Sequence, residues 1–239
     1  AVILVLMALS VPIAVSIGLG SVYYFLASGK PLMMIPQKMF TTVDNFTLLA
    51  VPLFILAGNI MNTGGITRRL FTFARTCVGH ITGGLGHVCV LASIIFAGMS
   101  GSATADAVGL GSIEIPAMEK EGYDKDFSSA IVLGASTIGP IIPPSIIMVI
   151  YAVVAGVSVG ALFVAGIVPG LIMGGGLMVG VYVISKKRGY PSYPRATFRQ
   201  LLVATRDAFP VLLTPVIIIG GIYSGFFTPT EAAMIAVVY

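Results

Sequence analysis

The sequence has no tryptophan, only two cysteines and few charged side chains. Charged residues make up 9% of the 239 residues, whereas hydrophobic residues make up 57%. An ordinary soluble domain carries about 25% charged residues, so this composition argues against a soluble protein. The net charge of +4 does not suggest a nucleic-acid partner, because basic residues in a membrane protein report its orientation instead.

Two long stretches contain no charged residue. One lies between Arg75 and Asp106, and the other lies between Asp126 and Lys186. Both exceed the roughly 20 apolar residues that cross a bilayer, so the sequence predicts an all-α polytopic membrane protein. The predicted spans are 1–26, 46–61, 159–184 and 208–226, with a further helix from Thr228. Because apolar runs occupy both chain ends, we expect a piece of a longer protein.

Two interruptions break the apolar runs. Polar and small residues fill Gly98–Asp106, and prolines fill Ile138–Ser145. Non-helical backbone at membrane depth is stable only when it is buried in protein or lines a wet cavity. A pair of such Gly/Pro interruptions is the best sequence indication of the binding site of a secondary transporter.

The first interruption predicts a re-entrant helical hairpin over residues 79–118. This stretch is too long for one crossing, and each of its arms is too short for a crossing of its own. The hairpin topology places the basic loops around Arg68, Lys120 and Lys186 on one face, which would be cytoplasmic. If residues 79–118 crossed the membrane once instead, the basic residues would be divided between the two faces almost as unequally. The prediction of a hairpin therefore depends mainly on the length of its arms.

The hairpin tip offers ligands for both a cation and an anion. Ser100, Ser102 and Thr104 provide hydroxyl oxygens, which suit sodium, and Asp106 is an acid at membrane depth. Intramembrane acids are candidates for function. The returning arm begins near Ala103, where helix N–H groups attract a carboxylate. The alternative is that these small residues only let helices pack closely.

The second interruption lacks backbone donors. Pro140, Pro143 and Pro144 have no N–H group, so carbonyls near Gly139 and Pro140 lose helical partners and could bind a cation. Alternatively, hydroxyls of Ser136, Thr137 and Ser145 compensate a simple kink. The predicted ion- and substrate-binding residues are Ser100, Gly101, Ser102, Ala103, Thr104, Asp106, Gly139, Pro140, Ile142, Pro143, Pro144 and Ser145.

The remaining polar features predict less. His80 and His87 lie seven residues apart without a third ligand, which disfavours a transition-metal site. Thr228–Glu231 has the pattern of a capping box, and 194–209 has the pattern of an amphipathic helix at the membrane surface. Because no Lys or Arg lies in the apolar stretches, helix dipoles, hydroxyl groups and co-bound cations would have to neutralise an anionic substrate, and this would link anion uptake to cation uptake, as in symport.

Several motifs together resemble the large membrane subunit of tripartite ATP-independent periplasmic (TRAP) transporters, the DctM-like permease family. They occur in the same order as in that family and cover nearly the whole chain. The motifs are Val51–Gly58, Gly98–Asp106, Ile115–Met118 with Gly122–Tyr123, Ile138–Ser145 and Phe227–Ala232.

The resemblance implies a multi-pass permease of the bacterial inner membrane that imports organic acids with a sodium gradient, and it implies no enzyme activity and no cofactor besides sodium. The implied partners are a periplasmic substrate-binding protein and a small four-helix membrane subunit. The implied fold is half of an elevator-type transporter. In that fold, residues 1–78 form scaffold helices, 79–157 form the transport-domain hairpin and broken helix, and 158–239 form further helices with a basic interfacial linker over 185–207. Sodium-site loops would fall on 100–104 and 139–145.

Three other functions fit parts of the sequence. A sodium/carboxylate symporter of similar fold would need no binding protein. An intramembrane hydrolase would use Ser100 or Ser102 as nucleophile and a histidine as base, but His87 lies about 20 Å along the helix from Ser100. A passive membrane scaffold would lose stability but not ion affinity when Ser102 or Pro143 is replaced.

Overall fold

The computed structural model describes residues 2–239, and within that range the chain is helical with no strand. This agrees with the predicted all-α class. The chain forms two compact units, one ending at Asn45 and one covering Phe46–Tyr239. The helices of the first unit are α1 (Val2–Ala8), α2 (Ile13–Ala27) and α3 (Met34–Val43).

The first unit differs from the single span predicted over 1–26, whose first residue lies outside the described range. Helix α1 ends before Pro12, which lacks the N–H group needed to continue a helix, and Ser10 adopts a positive φ of 62°. The two helices then pack closely, because a side chain at Gly20 would overlap Ile3. With 15 residues, α2 is about 23 Å long. Helix α3 lies between the predicted spans 1–26 and 46–61, where no helix was predicted.

The second unit begins with a 3-10 turn at Phe46–Leu49 and contains ten further helices within the described residues. These are α4 (Ala50–Thr63), α5 (Ile66–Val78), α6 (Gly84–Ser100), α7 (Ala103–Gly109), α8 (Gly111–Lys120), α9 (Lys125–Ser136), α10 (Ile146–Ala155), α11 (Val159–Arg188), α12 (Phe198–Tyr223) and α13 (Pro229–Val238).

Helix α6 lies at the centre of this unit. Its residues Leu85 and Cys89 belong to one buried cluster with α8, α9 and α11, and Val88 and Phe96 belong to another with α5 and α12. The chain turns after Ser100 and returns beside α6, since the sulfur atoms of Cys89 and Met118 lie 3.6 Å apart. A helix that is apolar on all sides is expected in such a central position.

Helices α11 and α12 are the two helices within residues 2–239 that are individually long and apolar enough to cross a bilayer. The predicted linker over 185–207 is shorter in the structure, because α11 continues to Arg188 and α12 begins at Phe198. The predicted surface helix over 194–209 and the span over 208–226 form one helix. Pro210 and Pro215 do not end it, and the Thr214 hydroxyl donates to the Pro210 carbonyl at 3.5 Å.

Residues 189–194 bind the end of the hairpin opposite its tip, where α6 begins and α8 ends. The Gly84 amide donates to the Pro191 carbonyl at 3.2 Å, and the Tyr193 amide donates to the Gly79 carbonyl at 2.9 Å. The Tyr123 hydroxyl also donates to the Pro191 carbonyl. These bonds fix the start of α6 to the end of α11.

An ion pair joins the same end of α11 to the start of α9. The Arg188 guanidinium lies 2.5 Å from an Asp124 carboxylate oxygen, and the Tyr190 hydroxyl donates to that oxygen at 2.6 Å. The Tyr190 hydrogen bond, followed by the Arg188 hydrogen bond and charge, lowers the pKa of Asp124 below its ordinary range. The Tyr190 ring also stacks on Tyr123, with ring centres 4.3 Å apart.

Candidate functional site

The hairpin tip is a non-helical link between α6 and α7. Gly101 ends α6 with φ +60°, a conformation that residues with a Cβ adopt at a cost. The Ser102 side chain caps α7 by accepting from the Ala105 amide at 3.4 Å. Ser100 is buried and donates its hydroxyl hydrogen to Asp106 Oδ1 at 2.9 Å. A break therefore lies within the predicted interruption Gly98–Asp106, but it is shorter than predicted, because only Gly101 and Ser102 lie outside the helices.

The predicted break in the second helix is also present, over residues 137–145 between α9 and α10. The Pro143–Pro144 peptide bond is cis. The Ser145 hydroxyl donates to the Pro140 carbonyl at 2.6 Å and accepts from the Met148 amide at 3.2 Å, which caps α10. Ser145 thus satisfies one carbonyl that the prolines leave unpaired, as the simple-kink alternative supposed. Within residues 2–239, no hydrogen bond reaches the carbonyl of Gly139.

The two interruptions are in direct contact, although some 40 residues separate them along the chain. The Ile146 amide donates to the Gly101 carbonyl at 3.4 Å. A Cβ on Gly139 would lie 3.1 Å from the Ala103 amide nitrogen and from the Ser102 carbonyl carbon. These glycines therefore let the backbone of the tip lie against the backbone of the break.

Carbonyl oxygens of the break face the hairpin. A Cβ on Gly98 would lie 3.7 Å from the Pro143 oxygen, and a Cβ on Gly101 would overlap the Pro144 oxygen. Asp106 is 1% exposed, and its Oδ2 atom has no hydrogen-bond partner among the described residues. Carboxylate and carbonyl oxygens of this kind are ligands for a hard cation. Among residues 2–239 there is no group of three or more His, Cys, Asp and Glu side chains placed to hold a metal ion.

The other predicted residues differ in their position. Ile142, Pro143 and Pro144 are buried at the break, whereas Pro140 and Ala103 are partly exposed and Thr104 is exposed on α7. The hydroxyl of Thr104 does not join the hydrogen-bond network of Ser100 and Asp106 within the described residues.

Sequence reasoning missed two neighbours of the tip. Gly58 on α4 lies under Ser100, since its Cβ would sit 3.5 Å from the Ser100 Cα. Pro215 on α12 packs against Gly98, where a Cβ would lie 3.1 Å from the proline ring. Neither residue has a local pattern that indicates this contact, which depends on how distant helices pack. Gly58 does belong to one of the resemblance motifs.

Two further buried polar side chains lie along the hairpin. Glu114 on α8 is fully buried, and neither carboxyl oxygen has a hydrogen-bond partner among the described residues. His87 on α6 is 3% exposed, and neither ring nitrogen has one. The predicted capping box at the start of α13 is confirmed, because the Thr228 hydroxyl accepts from the Glu231 amide and the Glu231 carboxylate accepts from the Thr228 amide.

Comparison with known proteins identifies the family. All of residues 1–239 match the family model described as "Tripartite ATP-independent periplasmic transporter, DctM component". The chain is 55% identical over 203 residues to the sialic acid TRAP transporter large permease protein SiaM of Vibrio cholerae. The aligned residues cover 85% of this chain and 48% of SiaM. The chain is 48% identical over 225 residues to the C4-dicarboxylate TRAP transporter large permease protein DctM of Pseudomonas aeruginosa. This alignment covers 94% of this chain and 53% of DctM.

A third relative, the isethionate TRAP transporter permease protein DctMQ of Oleidesulfovibrio alaskensis, is 43% identical over 231 residues, covering 96% of this chain and 36% of DctMQ. The chain spans about half the length of SiaM and DctM. These relatives are named as transporter permeases and not as enzymes. The resemblance that the motifs indicated is therefore confirmed, and the chain belongs to the DctM component family of tripartite ATP-independent periplasmic transporters.

Proposed function

We propose that this chain is part of the large permease subunit of a sodium-coupled secondary transporter that imports small organic acids. Family membership and the names of the relatives support the substrate class, because sialic acid, C4-dicarboxylates and isethionate are all small organic anions. The observation that carries the proposal is the contact between the hairpin tip at 100–106 and the helix break at 139–145.

In this proposal, the oxygen atoms at that contact bind sodium. The candidate ligands are the backbone carbonyls of the break, the Ser102 hydroxyl and the free Oδ2 atom of Asp106. Because neither interruption contains a basic side chain, the bound cation would supply the positive charge that attracts the anionic group of the substrate. The N-terminal end of α10 and the tip amides add partial positive charge. Ion binding and anion binding would thus depend on each other.

We further infer that residues 79–118 form a re-entrant hairpin of an elevator-type transport domain in the bacterial inner membrane. The return of α8 alongside α6, with Cys89 against Met118, supports the hairpin. The short length of the two arms fits a structure that enters and leaves the membrane on one side. A periplasmic binding protein and a small membrane subunit would be the partners, as the tripartite family description implies.

Uptake in proteoliposomes tests the proposal. The full-length protein, its small membrane subunit and its binding protein would be tested with radiolabelled sialic acid, C4-dicarboxylates and isethionate, with and without an inward sodium gradient. Uptake that needs both sodium and the binding protein is expected. Sodium-driven uptake without the binding protein would contradict the partner assignment and favour an independent symporter.

Two substitutions test the sodium site itself. Ser102→Ala and Pro143→Ala should raise the sodium concentration that gives half-maximal uptake, while the purified protein still elutes as a single folded species. If sodium dependence is unchanged in both variants, the assignment of the site is wrong. If both variants lose stability without any change in sodium affinity, the scaffold interpretation is favoured.

A further inference from the structure

A groove between α5 and the start of α12 collects the side chains of several arginines. Three adjoining cavities, the largest of about 560 Å³, overlap at Thr72, Arg195, Ala204 and Asp207 along their walls. We call this continuous feature the arginine groove, and its charged residues are Arg68, Arg69, Arg75, Arg195, Arg199 and Asp207.

The charge of the groove is strongly unbalanced. Asp207 is its one carboxylate among the described lining residues, against five guanidinium groups. Glu121 beside Tyr193 offsets part of the Arg75 charge. Arg75 stacks over the Tyr193 ring at 3.9 Å. Within residues 2–239, Arg68, Arg69, Arg195 and Arg199 form no ion pair within 4.0 Å and no side-chain hydrogen bond. Guanidinium groups bind phosphate oxygens through paired N–H donors, so the groove is suited to a phosphate-bearing anion.

The groove also has an apolar side, which selects among anions. Leu201, which is partly exposed, lines one of the three cavities together with Arg195. Val203 lines the groove itself. A soluble anion would gain nothing from these surfaces, whereas an acyl chain would cover them. Lipids with a phosphate head and apolar tails present both chemistries at once.

The position of the groove agrees with a lipid ligand. It lies at the N-terminal end of α12, which is long and apolar enough to cross a bilayer, and so it lies at the level where that helix enters the membrane. Basic pockets between transmembrane helices at this level bind anionic lipid head groups. The positive end of the 26-residue helix adds to the attraction for phosphate.

We propose that the arginine groove binds the phosphate head group of an anionic membrane phospholipid, with Arg195 and Arg199 as its principal contacts. This site is separate from the hairpin tip, and the proposal stands whether or not transport is coupled to sodium. Bound lipid would hold α5, which leads into the hairpin, against α12.

Lipid titration with the full-length protein and its small membrane subunit tests the proposal. Phosphatidylglycerol or phosphatidylcholine would be added to the detergent-purified complex, and bound lipid would be counted by native mass spectrometry. Each arginine near an anionic surface contributes about fivefold in affinity. The double substitution Arg195→Gln with Arg199→Gln should therefore lower phosphatidylglycerol affinity by about tenfold to thirtyfold. Binding of phosphatidylcholine should be weak in both proteins.

A matched control removes the same charge elsewhere. Lys186→Gln with Lys187→Gln changes two exposed basic residues at the end of α11, outside the groove, and should alter phosphatidylglycerol affinity by less than about twofold. Arg195→Lys with Arg199→Lys keeps the charge but loses the paired donors, so it should give an intermediate loss. Equal loss in the Lys186 and Lys187 control would overturn the site, and displacement of the lipid by millimolar inorganic phosphate would overturn its assignment to a lipid.

Discussion

Replacement of Gly101 by alanine tests whether the tip and the break must touch. Gly101 has φ +60°, and a Cβ there would lie 3.1 Å from both the Ile146 nitrogen and the Ser145 Cα, besides overlapping the Pro144 oxygen. These atoms belong to the backbone, so they cannot move aside as a flexible side chain can. The substitution should push the hairpin tip away from the break.

The expected cost has two parts. A residue with a Cβ in the left-handed region costs about 1–2 kcal/mol, and forced overlap in a packed interior adds about 1–3 kcal/mol. Gly156→Ala is the matched control, because Gly156 also ends a helix with positive φ (+69°), but no other atom lies within 4 Å of the place that its Cβ would occupy. It should show only the first cost, about 1–2 kcal/mol.

The assay compares both variants in the full-length complex by thermal unfolding and by the sodium concentration for half-maximal uptake. Gly101→Ala should lower the melting temperature more than Gly156→Ala does and should weaken the sodium dependence of uptake. Gly156→Ala should leave the sodium dependence unchanged. If the two variants lose equal stability and both keep normal sodium dependence, the reasoning about the contact is refuted.

Three other substitutions give separate predictions. Ser145→Ala removes a helix cap and the donor to a carbonyl of the break, so it should cost about 2–4 kcal/mol, measured by thermal unfolding. Ser100→Ala removes the hydroxyl that donates to Asp106, and leaving that buried carboxyl without a partner should cost about 1–3 kcal/mol. Asp124→Asn should flatten the pH dependence of the melting temperature in acid. The pKa of Asp124 is lowered from its ordinary value of 3.8, so its contribution is present above that pH and is lost as pH falls through the lowered pKa.

Controls distinguish these effects from general damage. Ser158→Ala removes an exposed cap at the start of α11 and should cost only about 1 kcal/mol. If Ser145→Ala lowers the stability no more than Ser158→Ala does, the Pro140 carbonyl does not need the hydrogen bond from the Ser145 hydroxyl. An acid transition that is the same with and without Asp124→Asn would show that the ion pair with Arg188 contributes nothing measurable.

Features that depend on neighbouring residues could be predicted from the sequence. The break before Ser145 follows from prolines that lack N–H groups, and the cap at Thr228 follows from a glutamate three residues later. Helix α1 ends after Ala8 for the same reason, since Pro12 has no N–H group. This end was not predicted, because the residues from 1 to 26 were interpreted as one apolar span. The division between a surface helix over 194–209 and a span over 208–226 was wrong, because the change from charged to apolar residues there does not end the helix.

Features that depend on distant residues could not be predicted in this way. The contact of Gly101 with the break, and the place of Gly58 under Ser100, arise from the packing of α4, α6 and α10. A glycine in the sequence indicates freedom of the backbone but does not say which other backbone comes close. The sequence therefore predicted both halves of the candidate site, whereas their contact required the structure.

The packing of α11 against α9 also has a mechanical consequence. Helix α11 starts directly after α10 and ends beside the start of α9, so this continuous helix of 30 residues connects both ends of the broken helix. It acts as a brace about 45 Å long, held to α9 mainly by buried packing and only weakly by the exposed ion pair. An ion bound at residues 137–145 could rearrange the break locally, whereas shortening the broken helix would have to break the packing of α9 on the brace. Larger displacements would have to carry α9, α10 and α11 together as one body.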